Sequence, residues 1–320
     1  MRILIIGSHH AWRMEAAVAR AARRAGHETL LVDDRRSKRL MGKSLTQRRV
    51  LLAARRFRPD FVFLSKCHAL ELDTVERVIR GLPNAMWYHD PQYHGDTARP
   101  DIAHITAVGR LADTFFITGF EDEWGAHGLN ARFLPAAGAR EIVPQPRDPG
   151  YAAEASFVGA GYDATRAEFL IALTERGVRV KVWGPRWEEW RDRLEWNGGT
   201  VEGKEFARVC SSADIVLGVN PARAAGATNY ASDRIWMVIL AGGFYLGPGT
   251  PGLDRMLLDG VHCAWYTDVD SCAERARWFL AHEAERERIR TNGERFVREH
   301  HTYDARLPFL LAGERWENPL

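Results

Sequence analysis

Short apolar runs alternate with stretches of helical period along the whole chain. Ile3–Ile6 reads as a strand, and Ala11–Ala25 as a helix that Gly26 closes in the manner of a C-cap glycine. Thr29–Val32, Phe61–Leu64, Ala85–Tyr88, Thr114–Ile117 and Ala131–Leu134 read as further strands, with helical patterns at Leu45–Phe57 and Leu72–Ile79. Three prolines and a glycine within Pro144–Gly150 can continue neither a helix nor a central strand, so this segment reads as a linker. The alternation then restarts. Strands are predicted at Ala155–Val158, Val178–Trp183, Ile215–Val219, Phe244–Leu246 and Cys263–Tyr266, and helices at Arg166–Arg176, Lys204–Ser211 and Ser232–Leu240. Three helical stretches close the chain, Ser271–His282, Ala284–His300 and Ala305–Glu314. Such alternation predicts parallel sheets with helices on both faces. The expected fold class is α/β: two Rossmann-like domains facing across a cleft, residues 1–143 and 151–300 joined by a linker at 144–150, with 301–320 as a C-terminal helix packing back on the first domain.

Composition narrows the class. The chain has 320 residues, 46% hydrophobic and 27% charged, as in ordinary globular proteins. No apolar run approaches the ~20 residues of a membrane span, and Ile3–Ile6 is too short for a signal-peptide core. Cys67, Cys210, Cys263 and Cys272 fall at no metal or redox spacing, so reduced, mostly buried thiols in a cytoplasmic protein are expected. The net charge of +2 hides an asymmetry: residues 1–147 carry +7 and residues 148–320 carry −5. Between Arg35 and Arg58 stand ten basic residues and no acidic one. That stretch is either an exposed Arg-rich helix or the mark of an anionic partner: phosphate, acidic polymer, nucleic acid or membrane surface.

Ligands of open parallel sheets bind beyond the carboxyl ends of the strands, so the strand-end residues are the chemical candidates. In the first half these are Ser8, His9 and His10, then Ser65, Lys66 and His68, then His89, Asp90, Tyr93 and His94. In the second half they are Gly159 and Gly161, Gly184 with Arg186, Asn220, and the Gly242-Gly243 pair after a helix. Glycine turns let backbone amides approach phosphate, and Arg166, Arg186 and Arg234 add positive charge. Gly7-Ser-His-His lacks the second glycine of the dinucleotide fingerprint, which sets classical NAD binding aside. Asp268 and Asp270 resemble a metal pair but lie between a strand and a helix, where Asp270 is placed to cap the helix. No metal site is expected.

These residues resemble the GT-B glycosyltransferases, specifically the CgeB-like spore-maturation group. The pieces occur in order: Ser156-Phe-Val-Gly159 followed by Arg166, Val182-Trp-Gly-Pro-Arg-Trp187, Ala213–Asn220, Ser232-Asp-Arg234 through Ala241-Gly-Gly243, and Thr302-Tyr303 with Arg306. In the first half Trp87-Tyr-His-Asp-Pro91 and Phe133-Leu-Pro135 are similar to family motifs. The resemblance implies donor binding in the second domain, acceptor binding in the first, and transfer in the cleft between, without a cofactor: the nucleoside-diphosphate sugar is a co-substrate. It implies Gly159, Arg166, Gly184, Arg186, Asn220, Ser232, Asp233, Arg234, Gly242 and Gly243 as donor-binding residues. Asp90, His89 and His9 are the catalytic candidates, and His10, His68, Tyr93, Arg48 and Arg49 the acceptor-binding ones. The sequence departs from the family at Met237, where a ribose-binding glutamate is usual, and at His89, where the first aspartate of the family motif stands. A thioether cannot accept the hydrogen bonds of a carboxylate. The expected function is sugar transfer from a nucleotide sugar to a hydroxyl of an anionic acceptor, either a surface polymer or lipid-linked glycan or a hydroxylated base in DNA. The alternatives are a non-catalytic sugar-nucleotide or polyanion binder on the same fold, and a sugar-nucleotide epimerase.

Overall fold

A computed structural model of the chain describes residues 1–90, 100–224 and 226–318. They form two parallel six-stranded sheets. The first contains β1 (Arg2–Ile6), β2 (Glu28–Val32), β3 (Phe61–Leu64), β4 (Asn84–Tyr88), β5 (Thr114–Ile117) and β6 (Ala131–Phe133), in the order β2-β1-β3-β4-β5-β6. Its helices are α1 (Met14–Arg24), α2 (Asp34–Phe57), α3 (Leu72–Ile79), α4 (Pro100–Leu111) and α5 (Glu121–Ala126). The second contains β7 (Ala153–Val158), β8 (Val180–Trp183), β9 (Glu195–Trp196), β10 (Ala213–Leu217), β11 (Tyr245–Pro248) and β12 (Ala264–Tyr266), in the order β12-β11-β10-β7-β8-β9. Its helices are α6 (Ala164–Glu175), α7 (Gly203–Ser212), α8 (Asp233–Leu240), α9 (Val269–Ala281) and α10 (Glu283–His300), and α11 (Tyr303–Ala312) follows.

The strands are near-continuous runs of branched and aromatic residues because both faces of each sheet are covered. Leu4, Ile6, Val62, Leu64, Met86, Phe115 and Ile117 form one core. Ala155, Phe157, Val182, Ile215, Leu217, Phe244 and Leu246 form the other. The α/β class expected from the alternation is the one found. β9 is a two-residue strand too short to leave a pattern, and α4 and α5 fall where none was expected. α2 starts at Asp34, eleven residues before the predicted helix, and is kinked at Gly42.

The chain divides into one compact unit of Met1–Ala136 with Tyr303–Glu317, and another of Ala137–Thr302 with Asn318–Leu320. The proline-rich residues 144–150 are part of the second unit. They are strapped to α7, whose Ser211 and Ser212 hydroxyls accept from the Gln145 and Asp148 amides, each at 2.9 Å. In the first unit, the Arg24 guanidinium grips Asp304 with two 2.7 Å hydrogen bonds. Arg306 is fully buried, donates to the Pro135 carbonyl at 3.1 Å and lies over the Trp316 ring.

Candidate active site

Strand order locates the crevice in each sheet. Where neighbouring strands connect in opposite directions, the loops part at their carboxyl ends and leave room for a ligand. In the second sheet that point lies between β7 and β10.

Three elements converge there. β7 supplies Phe157 and turns at Gly159; α6 supplies Arg166; the start of α8 supplies Arg234. Both guanidiniums lie over the Phe157 ring, Arg166 at 5.9 Å and Arg234 at 4.9 Å from its centroid. Arg166 is buried, also lies over Tyr162 at 5.4 Å, and donates from Nε to the Val219 carbonyl at 3.2 Å. Burial, and after it the charge of Arg234, pull the Arg166 guanidinium below its ordinary value. Among the described residues neither arginine has a carboxylate within ion-pair distance. Two like charges sharing one ring are costly unless an anion joins them.

The helix starts at this edge differ. Asp163 caps α6 through the Thr165 amide at 3.1 Å and also accepts from the Ala222 amide. Ser232, at the start of α8, makes no side-chain cap. The unsatisfied amides of a helix start favour an anion, so the opening beside Arg234 is the receptive one. Ser232 and Asp233 stand at this opening, Asp233 exposed. Asn220 reaches Thr250, beyond β11, at 3.5 Å. Arg186 is exposed with a φ of 65° on the loop after β8. Met237 is half-buried one turn into α8 from Asp233 and Arg234.

The glycine turns after β7 and β8 do not offer the free amides that the sequence predicts. The Gly159 amide donates to the Trp183 carbonyl at 2.8 Å and that of Gly184 to the Gly198 carbonyl at 3.0 Å, so neither is free for phosphate. They are packing glycines. A Cβ on Gly159 would lie 2.7 Å from Arg234 Nη2, and one on Gly184 would lie 2.3 Å from the Gly159 carbonyl oxygen. Gly242 and Gly243 do not belong to the site. They precede β11 and therefore stand at the amino edge of the sheet. Both are buried, and their amides donate to the Ile239 and Val238 carbonyls at 2.9 Å. Asp268, rather than Asp270, caps α9, and Asp270 pairs with Arg176.

In the first sheet the switch lies between β1 and β3. Glu15, in the first turn of α1, is buried there against Gly7; a Cβ on Gly7 would be 2.5 Å from its Cγ. Lys66, after β3, is ion-paired with Asp90, after β4. The His89 ring packs edge-on to Trp87 at 4.5 Å and parallel to Tyr303 at 6.3 Å. Its Nε2 is sealed from solvent without a hydrogen bond among the described residues, and burial pushes the imidazole down to about 3. His68 lies beside His104 and is pushed down to about 4, first by burial and then by Arg35 and Lys66. His9 is turned toward β2, its amide on Asp33 and its Nε2 on the Leu31 carbonyl. His10 is exposed, as are Arg48 and Arg49 on α2. Tyr93 and His94 lie outside the described residues. The structure thus brings together Lys66, Asp90 and His89, and keeps His9, Arg48 and Arg49 apart from them.

The two depressed histidines have a thermodynamic consequence. In the unfolded chain an imidazole titrates near 6.5; folded, these two resist protonation down to about 3 and about 4. Between those values the unfolded state binds more protons, so stability falls as pH falls. We expect the urea midpoint to drop from about pH 6.5 to about pH 4, and the His68→Gln/His89→Gln double variant to flatten that slope. An unchanged slope in the double variant would place the titration elsewhere.

Residues 166–312 match a family model described as glycosyl transferase-like. No curated protein matches the sequence. Among solved structures, an alpha-glucosyltransferase in complex with UDP and a DNA 13-mer containing a HMU base is similar, with a TM-score of 0.69 at 12% identity, over 98% of this chain and 99% of that one. HepE of Anabaena in complex with UDP-glucose is similar at 0.69 and 10% identity, over 98% of each chain. Sucrose-phosphate synthase of Thermosynechococcus elongatus is similar at 0.66 and 11% identity, over 96% of each. The fold is GT-B. In a GT-B chain of this topology, the Arg166–Arg234 pair sits at the switch point of the carboxyl-terminal Rossmann-like sheet. Among the described residues, no three His, Cys, Asp or Glu side chains converge as a metal cage, and no helix is long and apolar enough to cross a membrane. The four cysteines are buried free thiols, all pushed up by burial.

Proposed function

We propose that the chain is a glycosyltransferase moving a sugar from a nucleoside-diphosphate sugar to a hydroxyl of an anionic acceptor. The observation that carries this reading is the Arg166–Arg234 pair on Phe157, without a carboxylate in ion-pair distance among the described residues, beside the start of α8 that Ser232 leaves uncapped. Such an arrangement is suited to a diphosphate and stabilises it most as it departs with negative charge. UDP is the favoured nucleotide because the similar alpha-glucosyltransferase and HepE structures hold UDP or UDP-glucose. With Met237 in place of a carboxylate, we assign the ribose hydroxyls to Asp233.

On the first unit, Asp90 is the proposed base for an inverting transfer. His89 is the weaker candidate, since its Nε2 is sealed off and its imidazole resists protonation. For a retaining transfer no base is needed, and Lys66 and Asp90 would position the acceptor. A negatively charged acceptor accords with the +7 charge of residues 1–147. The CgeB-like group remains the family it resembles.

A thermal-shift panel of nucleoside diphosphates and their sugars, with and without EDTA, tests this reading. A ligand at ~100 times its Kd adds ~2.7 kcal/mol of stability. We expect a shift with UDP and one UDP-sugar, insensitive to EDTA, and the same shift in Asp90→Asn with much reduced sugar transfer. If no nucleotide shifts the chain, Met237 marks a protein that has lost the donor, and the non-catalytic reading replaces this one.

A further inference from the structure

α2 lies in the first unit, whereas the proposed donor-binding residues lie in the second. Past its kink at Gly42, α2 runs unbroken to Phe57 and buries Thr46, Gln47 and Val50. The opposite face is exposed: Leu45, Arg48, Arg49, Leu52, Arg55 and Arg56. At 3.6 residues per turn these six fall on one arc. Leu45 and Leu52, seven residues apart, form its centre line. Arg48 and Arg55 flank that line on one side, Arg49 and Arg56 on the other. Leu45 is 51% exposed and Leu52 46%, and Leu40, just before the kink, is 66% exposed. Of the ten basic residues between Arg35 and Arg58, only Lys43 forms an ion pair among the described residues, with Glu71 at 3.0 Å, and Arg35 also acts on the neighbouring Asp34.

We propose that this face of α2 docks the protein on an anionic phospholipid surface. A leucine row between two rows of arginines is the layout of an interfacial helix. The apolar line enters the headgroup boundary while the guanidiniums, on long apolar stems, reach lipid phosphates on either side. Nucleic acid would use the same arginines, but its phosphodiester backbone would leave the leucine row in water. Among the described residues Arg48, Arg49, Arg55 and Arg56 form no ion pair, which is the complement of a surface that is itself negative. The inference does not depend on the donor site: a chain unable to bind a nucleotide would dock all the same, and failure to dock leaves the nucleotide panel untouched.

The test is co-sedimentation of the full chain with phosphatidylcholine vesicles that contain, or lack, about 30% phosphatidylserine. Binding is expected only to the anionic vesicles, and weaker at high salt. Leu45→Gln/Leu52→Gln should weaken it about ten-fold, and charge reversal at Arg48, Arg49, Arg55 and Arg56 should weaken it by more than about 100-fold. All six positions are exposed, so thermal midpoints should stay near wild type and confirm that the variants fold. Absence of binding to the anionic vesicles overturns the proposal. So does binding that ignores the leucine substitutions. Tighter binding to duplex DNA, lost on charge reversal and unchanged by Leu45→Gln/Leu52→Gln, would give the face to nucleic acid and equally overturn it.

Discussion

Arg234→Ala should bind UDP about 100-fold more weakly than the wild-type chain, because charge-assisted hydrogen bonds to a buried anion are worth about 1.5–3 kcal/mol. The ligand-free variant should unfold within about 1 kcal/mol of wild type, since losing a cation–π contact of about 0.5–1 kcal/mol is offset by relieving repulsion from Arg166. This separation of binding from stability distinguishes a ligand-binding arginine from a packing one. Arg166→Ala is expected to lose both, because Arg166 is buried and holds the Val219 carbonyl. Titration calorimetry with UDP and thermal melts of the free proteins measure the two quantities. Wild-type affinity in Arg234→Ala would remove the diphosphate from this edge. Intact affinity with a large loss of melting temperature would make the residue structural.

Gly184→Ala is expected to cost about 3 kcal/mol or more of stability. Two penalties add. Gly184 has a φ of 134°, a backbone region that side chains rarely adopt. The new Cβ would also meet the Gly159 carbonyl oxygen at 2.3 Å, a backbone atom held in place because it accepts from Trp187 Nε1 at 2.8 Å. Relief must come from moving the turn that carries Gly159, and Gly159 makes room for the Arg234 guanidinium. Nucleotide affinity should therefore fall together with stability. Gly242→Ala provides the contrast: it stands at the far edge of the sheet, so any loss of stability there should leave UDP affinity unchanged. Urea unfolding of Gly184→Ala at near wild-type midpoint would contradict this account of the turn.

Most of the architecture was legible from period alone, because every strand but β9 is a short apolar run between polar breaks. The site was legible only in part. Arg166 and Arg234 stand out in sequence as charges beside glycine turns, but order along the chain does not say which end of a strand a turn occupies. Gly242-Gly243 matched a motif and lies at the amino edge, whereas Ser232 and Arg234, eight and more residues earlier, lie at the carboxyl edge. Glycine was also ambiguous: the same residue type that admits a phosphate admits a neighbouring group of the protein, the Arg234 guanidinium and Phe157 ring at Gly159 and the Gly159 carbonyl at Gly184. Glu15 went unmarked because a glutamate in an Ala-Arg helix looks solvated, and only the bare Cα of Gly7 shows that it is buried. Phe157 carried no chemical signal, yet its ring is the platform that both arginines share. His9 is withdrawn from its neighbours by a carbonyl on the adjacent strand, a contact that no local pattern encodes.

The tie between Arg24 and Asp304, and the burial of Arg306 beneath Trp316, bear on how the molecule comes into being. A ribosome delivers the six strands of the first sheet before any strand of the second, but the helix that completes their packing emerges only after both. The second unit lies between them in the reading order, and all but its last three residues are made before that helix. The first-born unit of the protein therefore waits, unfinished, through the synthesis of the other, with the surface meant for α11 open until the second sheet and its helices have been made.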